Sequence, residues 1–364
     1  MAPGEREPVL IVGGGPAGAS AAIALARAGA RPRLIERTAG PHDTVCGGFL
    51  GWDAIAALGR LGIDPAALGA PPITRLRLVG SGIEAEARLP RAAAGLSRRL
   101  LDETLLAAAA EAGARVERGR TVRAADLAAR SIRLDDGDEV AAEALLLATG
   151  KHELRGAARP CDISREPVGM RAALRPSRQL AALLEGTIEL HLFDGGYAGL
   201  LLQEDGSANL CLSVARRRFR QAGGVQTLIG DLCEALPALR DRLDSGEAGA
   251  WSAVAGVPYG WHARATAPGV YRVGDQGAVI ASLAGDGIAI ALESGAEAAA
   301  ALLAGDDAQT YQARFGRRAA RPLAVAGALR WSAERPAPRG GMMALVRAFP
   351  ALPRIAARLT RIGG

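Results

Sequence analysis

Gly13, Gly15 and Gly18 follow the apolar run 9–12 in GxGxxG spacing, and Glu36 stands 18 residues after Gly18, at the end of a second apolar run, 33–35. Each residue type suits one part of a dinucleotide. Gly13 permits a tight turn, Gly15 lets backbone approach a pyrophosphate, and Gly18 lets helix and strand pack closely. The helix that follows offers free N–H groups and a partial positive charge to phosphates, and Glu36 can accept from ribose hydroxyls. Far downstream, Tyr271-Arg272-Val273-Gly274-Asp275 precedes Gly285-Asp286-Gly287, which opens an apolar helix. A strand ending in Gly274-Asp275 can present a carboxylate to a ribityl hydroxyl. The glycines at the next helix start can bring N–H groups to an isoalloxazine carbonyl or a flavin phosphate. A nicotinamide coenzyme has no ribityl chain, so this second element selects FAD. Ser97-Arg98-Arg99 at a helix start adds an arginine able to pair with a pyrophosphate or flank the flavin.

Cys46 is the candidate for proton chemistry. It precedes Gly47 and Gly48, so its backbone can come close to a flavin and its thiol can donate a proton after hydride transfer; a small buried hydrophobe is the competing role. His191 alternates with Leu190 and Leu192 and is a general base if its face of the sheet lines the cavity. Tyr197 joins these catalytic candidates, and Phe49, Phe193, Tyr259 and Trp261 supply a substrate wall. Neither a Ser/His/Asp order nor a His/Glu metal cluster points to hydrolysis or metal catalysis.

The elements needed to place these groups follow from the patterning. After the opening βαβ unit, helices are expected over about 51–61, 97–112 and 225–242, and from 287 onward. Strands are expected over 116–122, 144–148, 188–193, 198–203, 208–214 and 270–273, with hairpins over 73–89 and 132–140. The expected fold is α/β: a Rossmann-like FAD-binding domain (1–75, 98–155 and 263–310) with an inserted antiparallel β-sheet substrate domain (76–97 and 156–262). A basic helical segment, 311–364, closes the chain.

The 364 residues hold 49% apolar residues, enough for a large core, and a net charge of +6. The positive charge is arginine except for Lys151, and no basic stretch interleaved with aromatics suggests nucleic-acid binding. Cys46, Cys161, Cys211 and Cys233 lack metal spacing and are expected as free thiols in a reducing, cytoplasmic setting. No signal peptide is evident, and no apolar run is long enough to span a bilayer. From Arg314 onward there are eleven arginines and one acid, Glu334. That segment either meets an anionic membrane surface or a carrier protein, or covers the FAD domain with a solvated arginine face.

The three cofactor elements, in this order, resemble the fold shared by para-hydroxybenzoate hydroxylase-type monooxygenases (the group A flavoprotein monooxygenases) and geranylgeranyl reductases, over about residues 8–310. The resemblance implies FAD at the seam between the two domains, with the ADP half on Gly13, Gly15, Gly18 and Glu36. Arg98 then lies near the cofactor and Asp275 beside its ribityl chain. Further cofactor contacts are expected at Pro16, Ala17, Arg37, Gly47, Val122, Thr149, Gly150, Gly274, Gly285, Gly287 and Ile288. Ala148-Thr149-Gly150 replaces the usual Asp-Gly motif and Ala281-Ser282 the usual proline, so the electron donor stays open between NAD(P)H and another reductant. Cys46-Gly47-Gly48 is closer to the reductases. Two reactions on a hydrophobic small molecule follow. The first is hydroxylation of an aromatic or polyketide-like substrate through a flavin C4a-hydroperoxide. The second is reduction of a prenyl or lipid double bond with Cys46 as proton donor. A non-catalytic flavin-binding electron carrier is the third reading.

Overall fold

A computed structural model of the chain describes residues 6–160 and 166–363; the free thiol expected at Cys161 lies outside them. The chain opens with β1 (Glu7–Val12), α1 (Pro16–Arg27) and β2 (Arg33–Glu36), then β3 (Phe49–Leu50), α2 (Trp52–Arg60) and the hairpin β4 (Pro72–Gly80) and β5 (Ile83–Gly95). Next come α3 (Arg98–Glu111), β6 (Arg115–Arg118), β7 (Val122–Asp126), β8 (Ser131–Leu134) and β9 (Glu139–Leu147). The insert holds β10 (Val168–Pro176), α4 (Arg178–Leu184), β11 (Thr187–Phe193), β12 (Gly196–Leu202), β13 (Ala208–Val214), α5 (Arg216–Ala222), α6 (Val225–Ala235), α7 (Pro237–Asp244), β14 (Gly246–Ala248) and β15 (Ser252–Ala255). The chain returns with β16 (Val270–Arg272), α8 (Gly287–Leu303), α9 (Ala308–Ala333), α10 (Pro336–Ala348) and α11 (Leu352–Leu359).

The fold is α/β. The first sheet runs β6-β2-β1-β9-β8-β7, with β16 also on β9. Pairings of β1 with β2 and β9, of β2 with β6, and of β9 with β16 are parallel, the Rossmann-like pattern. Val9 to Val12 are buried on both faces, which is why β1 is a continuous apolar run without alternation. The second sheet runs β14-β10-β13-β12-β11-β4-β5-β3. It is largely antiparallel, but β11 joins β4 in parallel, so the expected all-antiparallel insert is a mixed sheet. Helices α4, α6 and α7 cover one face of it through Leu180, Leu184, Leu228, Leu232 and Leu239.

Four expected elements are redrawn. The strand expected over 116–122 splits at Gly119 (φ +73°), where β6 leaves β2 and the chain turns into the β7–β8 hairpin. The hairpin arm near 140 and the strand over 144–148 are one strand, β9. Its first half pairs with β8 and its second with β1. The helix expected over 225–242 breaks at Leu236 because Pro237, lacking an N–H, starts a new helix. Strand β10 was not expected at all. It is a mostly buried strand whose sequence, VGMRAALRP, carries no clean alternation.

Candidate active site at the seam between the sheets

The opening turn is built as its glycines require. Gly13 has φ +108°, and a Cβ there would lie 2.4 Å from the Ala148 carbonyl oxygen. A Cβ on Gly18 would lie 2.0 Å from the Gly13 carbonyl oxygen. Helix α1 therefore rests directly on the strand ends. Its N-cap, Gly15, makes no side-chain cap, and space there is open except for the Arg98 Nη2 at 3.4 Å. Glu36 accepts from the Gly14 N–H at 2.7 Å and from the Thr38 N–H and hydroxyl at 2.9 and 2.8 Å. Burial opposes its charge, but these donors hold its carboxyl below the usual range, so it stays an acceptor. An uncapped helix start, a backbone without Cβ atoms and an anchored acceptor fit the ADP half of FAD. Gly18→Ala tests this: the clash is with backbone, so about 1–3 kcal/mol of stability should go. The purified variant should retain less flavin absorbance per chain than the parent.

One cavity of about 920 Å³ begins at this turn and runs along the second sheet. At its cofactor end it is lined by Gly15, Pro16, Ala17, Cys46, Gly47, Phe49, Arg98, Gly150, Gly274, Asp275, Gly285, Gly287 and Ile288. The open space beyond Gly287, where no atom lies within 4 Å of an added Cβ, suits the tricyclic end of a flavin.

The loop carrying Cys46 is held on two sides. Lys151 Nζ donates to the Val45 carbonyl at 3.1 Å, and Asn209 Nδ2 donates to the Cys46 carbonyl at 2.9 Å. Asn209 is itself held by Arg171 at 2.8 Å, and Arg171 pairs with Asp43 at 3.0 Å. Arg98 clasps Asp102 through two bonds, at 2.8 and 2.7 Å, and Cys46 lies close enough to act on its charge. Burial works against its charge, yet Asp102 and Cys46 raise its pKa. Lys151 is likewise held charged against burial by Asp275, at 3.8 Å, and by Cys46. The sequence offered no charge near this thiol; the fold supplies two. Cys211 lines the same cavity, and burial, with Cys46 adding to it, pushes its thiol up to about 12, so it is a neutral wall group.

A hydroxyl cluster lies further along. Ser282 hydrogen-bonds both Tyr197 and Tyr259, the latter at 2.6 Å, and Arg330 lies 4.8 Å from the Tyr259 ring centroid. Burial raises both phenols above their usual value, so they remain O–H groups. At the start of α8, Arg361 from the chain's end bonds the Asp286 carboxylate at 2.8 Å and covers the Trp52 ring at 4.4 Å. Burial pushes the Asp286 carboxyl up to about 6 despite that pairing.

Not every expected residue reaches the cavity. Leu190 and Leu192 line it, so His191 points to the other face of β11, where its Nε2 meets Glu189 at 2.6 Å under full burial. The general-base assignment is corrected: His191 is part of a buried ionic cluster. Phe193 lies on that same outer face, packed with the α4–α7 core and capped by Arg218 at 5.1 Å. Trp261 stands outside the lining, under Arg159 at 5.8 Å. Neither lines the cavity, whereas Phe49 and Tyr259 do. Gly13, Gly18 and Glu36 shape the turn from beneath. Arg37 is spent on His152 at 2.8 Å, Thr149 on the His152 carbonyl at 2.8 Å, and Val122 packs at the start of β7. Lys151 and Ser282 were missed. Lys151, as the single lysine just after a strand end at the cofactor site, carried the one available signal.

A family profile described as FAD binding domain matches residues 6–157. The chain is 30% identical over 340 residues, 87% of this chain and 82% of the relative, to a menaquinone reductase of Mycobacterium tuberculosis. Its fold matches that of the flavin-dependent brominase Bmp2 with TM-score 0.81 at 18% identity, covering 98% of this chain and 93% of that one. It also matches a geranylgeranyl bacteriochlorophyll reductase-like protein of Thermoplasma acidophilum with TM-score 0.70 at 19% identity, covering 98% and 99%.

Proposed function

Because the chain belongs to the FAD-dependent oxidoreductase family that includes the mycobacterial menaquinone reductases, we propose that it reduces a double bond in the isoprenoid chain of a lipid quinone. The observation that carries this reading is the cavity. It starts at Cys46, flanked by Arg98 and Lys151, and continues as an apolar channel over Leu76, Leu78, Ile188, Leu190 and Leu192 to α10 and α11. A chain of isoprene units can lie along such a wall with one double bond at Cys46. The name carried by the relatives, menaquinone reductase, supports a lipid quinone as the substrate.

When bound and reduced, FAD supplies the hydride. Its electrons come from a donor such as NAD(P)H, and the protein provides the rest. Gly13, Gly15, Gly18 and Glu36 would hold the ADP half, and Asp275 and the start of α8 would face the other end. The leucine and isoleucine wall fixes the alkene. One carbon of the double bond gains the hydride and the other gains the proton from Cys46 Sγ–H, so one π bond is exchanged for two C–H bonds. The thiolate left behind faces the Arg98 and Lys151 cations, which stabilise it until a proton returns. The Tyr197–Ser282–Tyr259 hydroxyls shape the polar side of the cavity.

Hydroxylation, the other expectation from sequence, needs a site closed to water. Here the cavity reaches the surface beside exposed Leu345, Leu352 and Ile355. The deciding experiment reduces the flavin with dithionite under anaerobic conditions and adds a prenylated naphthoquinone in detergent. After air returns the ring to the quinone, the product should retain two extra hydrogens in its chain. A product of unchanged mass, or one that gains oxygen only when air is present during turnover, would overturn the assignment.

A further inference from the structure

The exposed large apolar residues of the described chain are concentrated at one place. Leu345, Phe349, Leu352 and Ile355 are 54%, 59%, 38% and 52% exposed on α10, α11 and the turn between them. Arginines 347, 354 and 358 stand exposed among them, and residues 335–363 contain neither Asp nor Glu. Leu345, Leu352 and Ile355 also line the cavity, so the patch is the rim of its mouth. Among the described residues no helix is long and apolar enough to cross a membrane.

Two costs need explaining on this surface. A contiguous apolar patch in water is unfavourable and marks an interaction site. Its unbroken positive charge repels a basic partner, a second copy of this chain included, and favours an anionic one. We propose that the α10–α11 face docks on the surface of an anionic phospholipid bilayer. Phe349 and its neighbours enter the headgroup boundary while the arginines meet lipid phosphates. The mouth of the cavity then faces the acyl layer, and an isoprenoid chain passes into the site without crossing water. This surface is read from exposure, charge and continuity with the cavity. Only the delivery of an isoprenoid rests on the proposed function.

Flotation of the FAD-loaded full chain with vesicles, lacking any substrate, tests the docking alone. The chain should float with phosphatidylcholine vesicles containing phosphatidylglycerol and far less with phosphatidylcholine alone, and high salt should release it. Phe349→Ser together with Arg347→Gln and Arg354→Gln should weaken binding by about tenfold or more. These exposed changes should leave the unfolding midpoint unchanged, as well as turnover on detergent-dispersed substrate. Equal binding to both vesicle types, or unaltered binding by the triple variant, would overturn the proposal. So would a dimer in solution that Phe349→Ser converts to monomer. None of these outcomes touches the anaerobic product assay, so the two readings stand or fall separately.

Discussion

Cys46→Ala should slow double-bond reduction by about 10²–10⁴-fold, the range a positioned general acid supplies, while the protein stays yellow. The two halves of that result have separate causes. The thiol lies on the cavity wall at the cofactor end, beside Arg98 and Lys151, so its loss removes the proposed proton source. The residues proposed to hold the cofactor lie elsewhere, at the α1 start and Glu36. The loop itself is fixed through backbone carbonyls, Val45 to Lys151 and Cys46 to Asn209, which an alanine keeps. Cys46→Ser keeps the shape and a weaker acid, and should fall between alanine and the parent. Rapid-quench mass measurement of the chain-reduced product, with dithionite keeping both flavin and quinone ring reduced and oxygen excluded, reads the step. An alanine variant that turns over at the parent rate would exclude Cys46 as proton donor.

Glu189→Gln should lower folding stability by about 3–5 kcal/mol, the cost of removing one partner from a buried ionic cluster. Glu189 is fully buried and meets Arg77 at 2.8 Å, Arg242 at 2.9 Å and His191 at 2.6 Å. The two arginine side chains are only 10% and 14% exposed, so a neutral amide leaves them largely desolvated without their counter-charge. The same cluster predicts acid sensitivity. Burial alone would raise the Glu189 carboxyl, but His191, Arg242 and Arg77 hold it down at about 2. A carboxyl depressed on folding contributes stability that is present above its unfolded value, about 4.5, and is lost as pH falls through about 2. Urea unfolding at neutral pH and at pH values across that window should show the parent losing stability and the variant losing less. Equal midpoints for the two proteins at neutral pH would mean that the cluster carries no net stability.

That cluster shows where reading the sequence stops. Alternation along β11 places His191 opposite Leu190 and Leu192, a property of any strand. It does not say which of the two faces meets the cavity. That is settled by what covers each face, α4, α6 and α7 on one side and the α9–α11 layer on the other. The same cause removes Phe193 from the substrate wall.

What the chain's order of residues determined was local. Gly13, Gly15, Gly18, Glu36, the Gly274-Asp275 turn and the Ser97 cap all lie within one turn or one βαβ unit, so spacing alone exposes the local geometry they build. What only the tertiary structure decided was convergence. Lys151, from the turn after β9, and Arg98, at the start of α3, approach Cys46, Ser282 joins Tyr197 to Tyr259, and Arg361 returns over 75 residues to Asp286. The basic end of the chain likewise becomes the roof of the cavity. Such contacts depend on how sheets and helices pack in space, and packing buries apolar area without regard to separation along the chain.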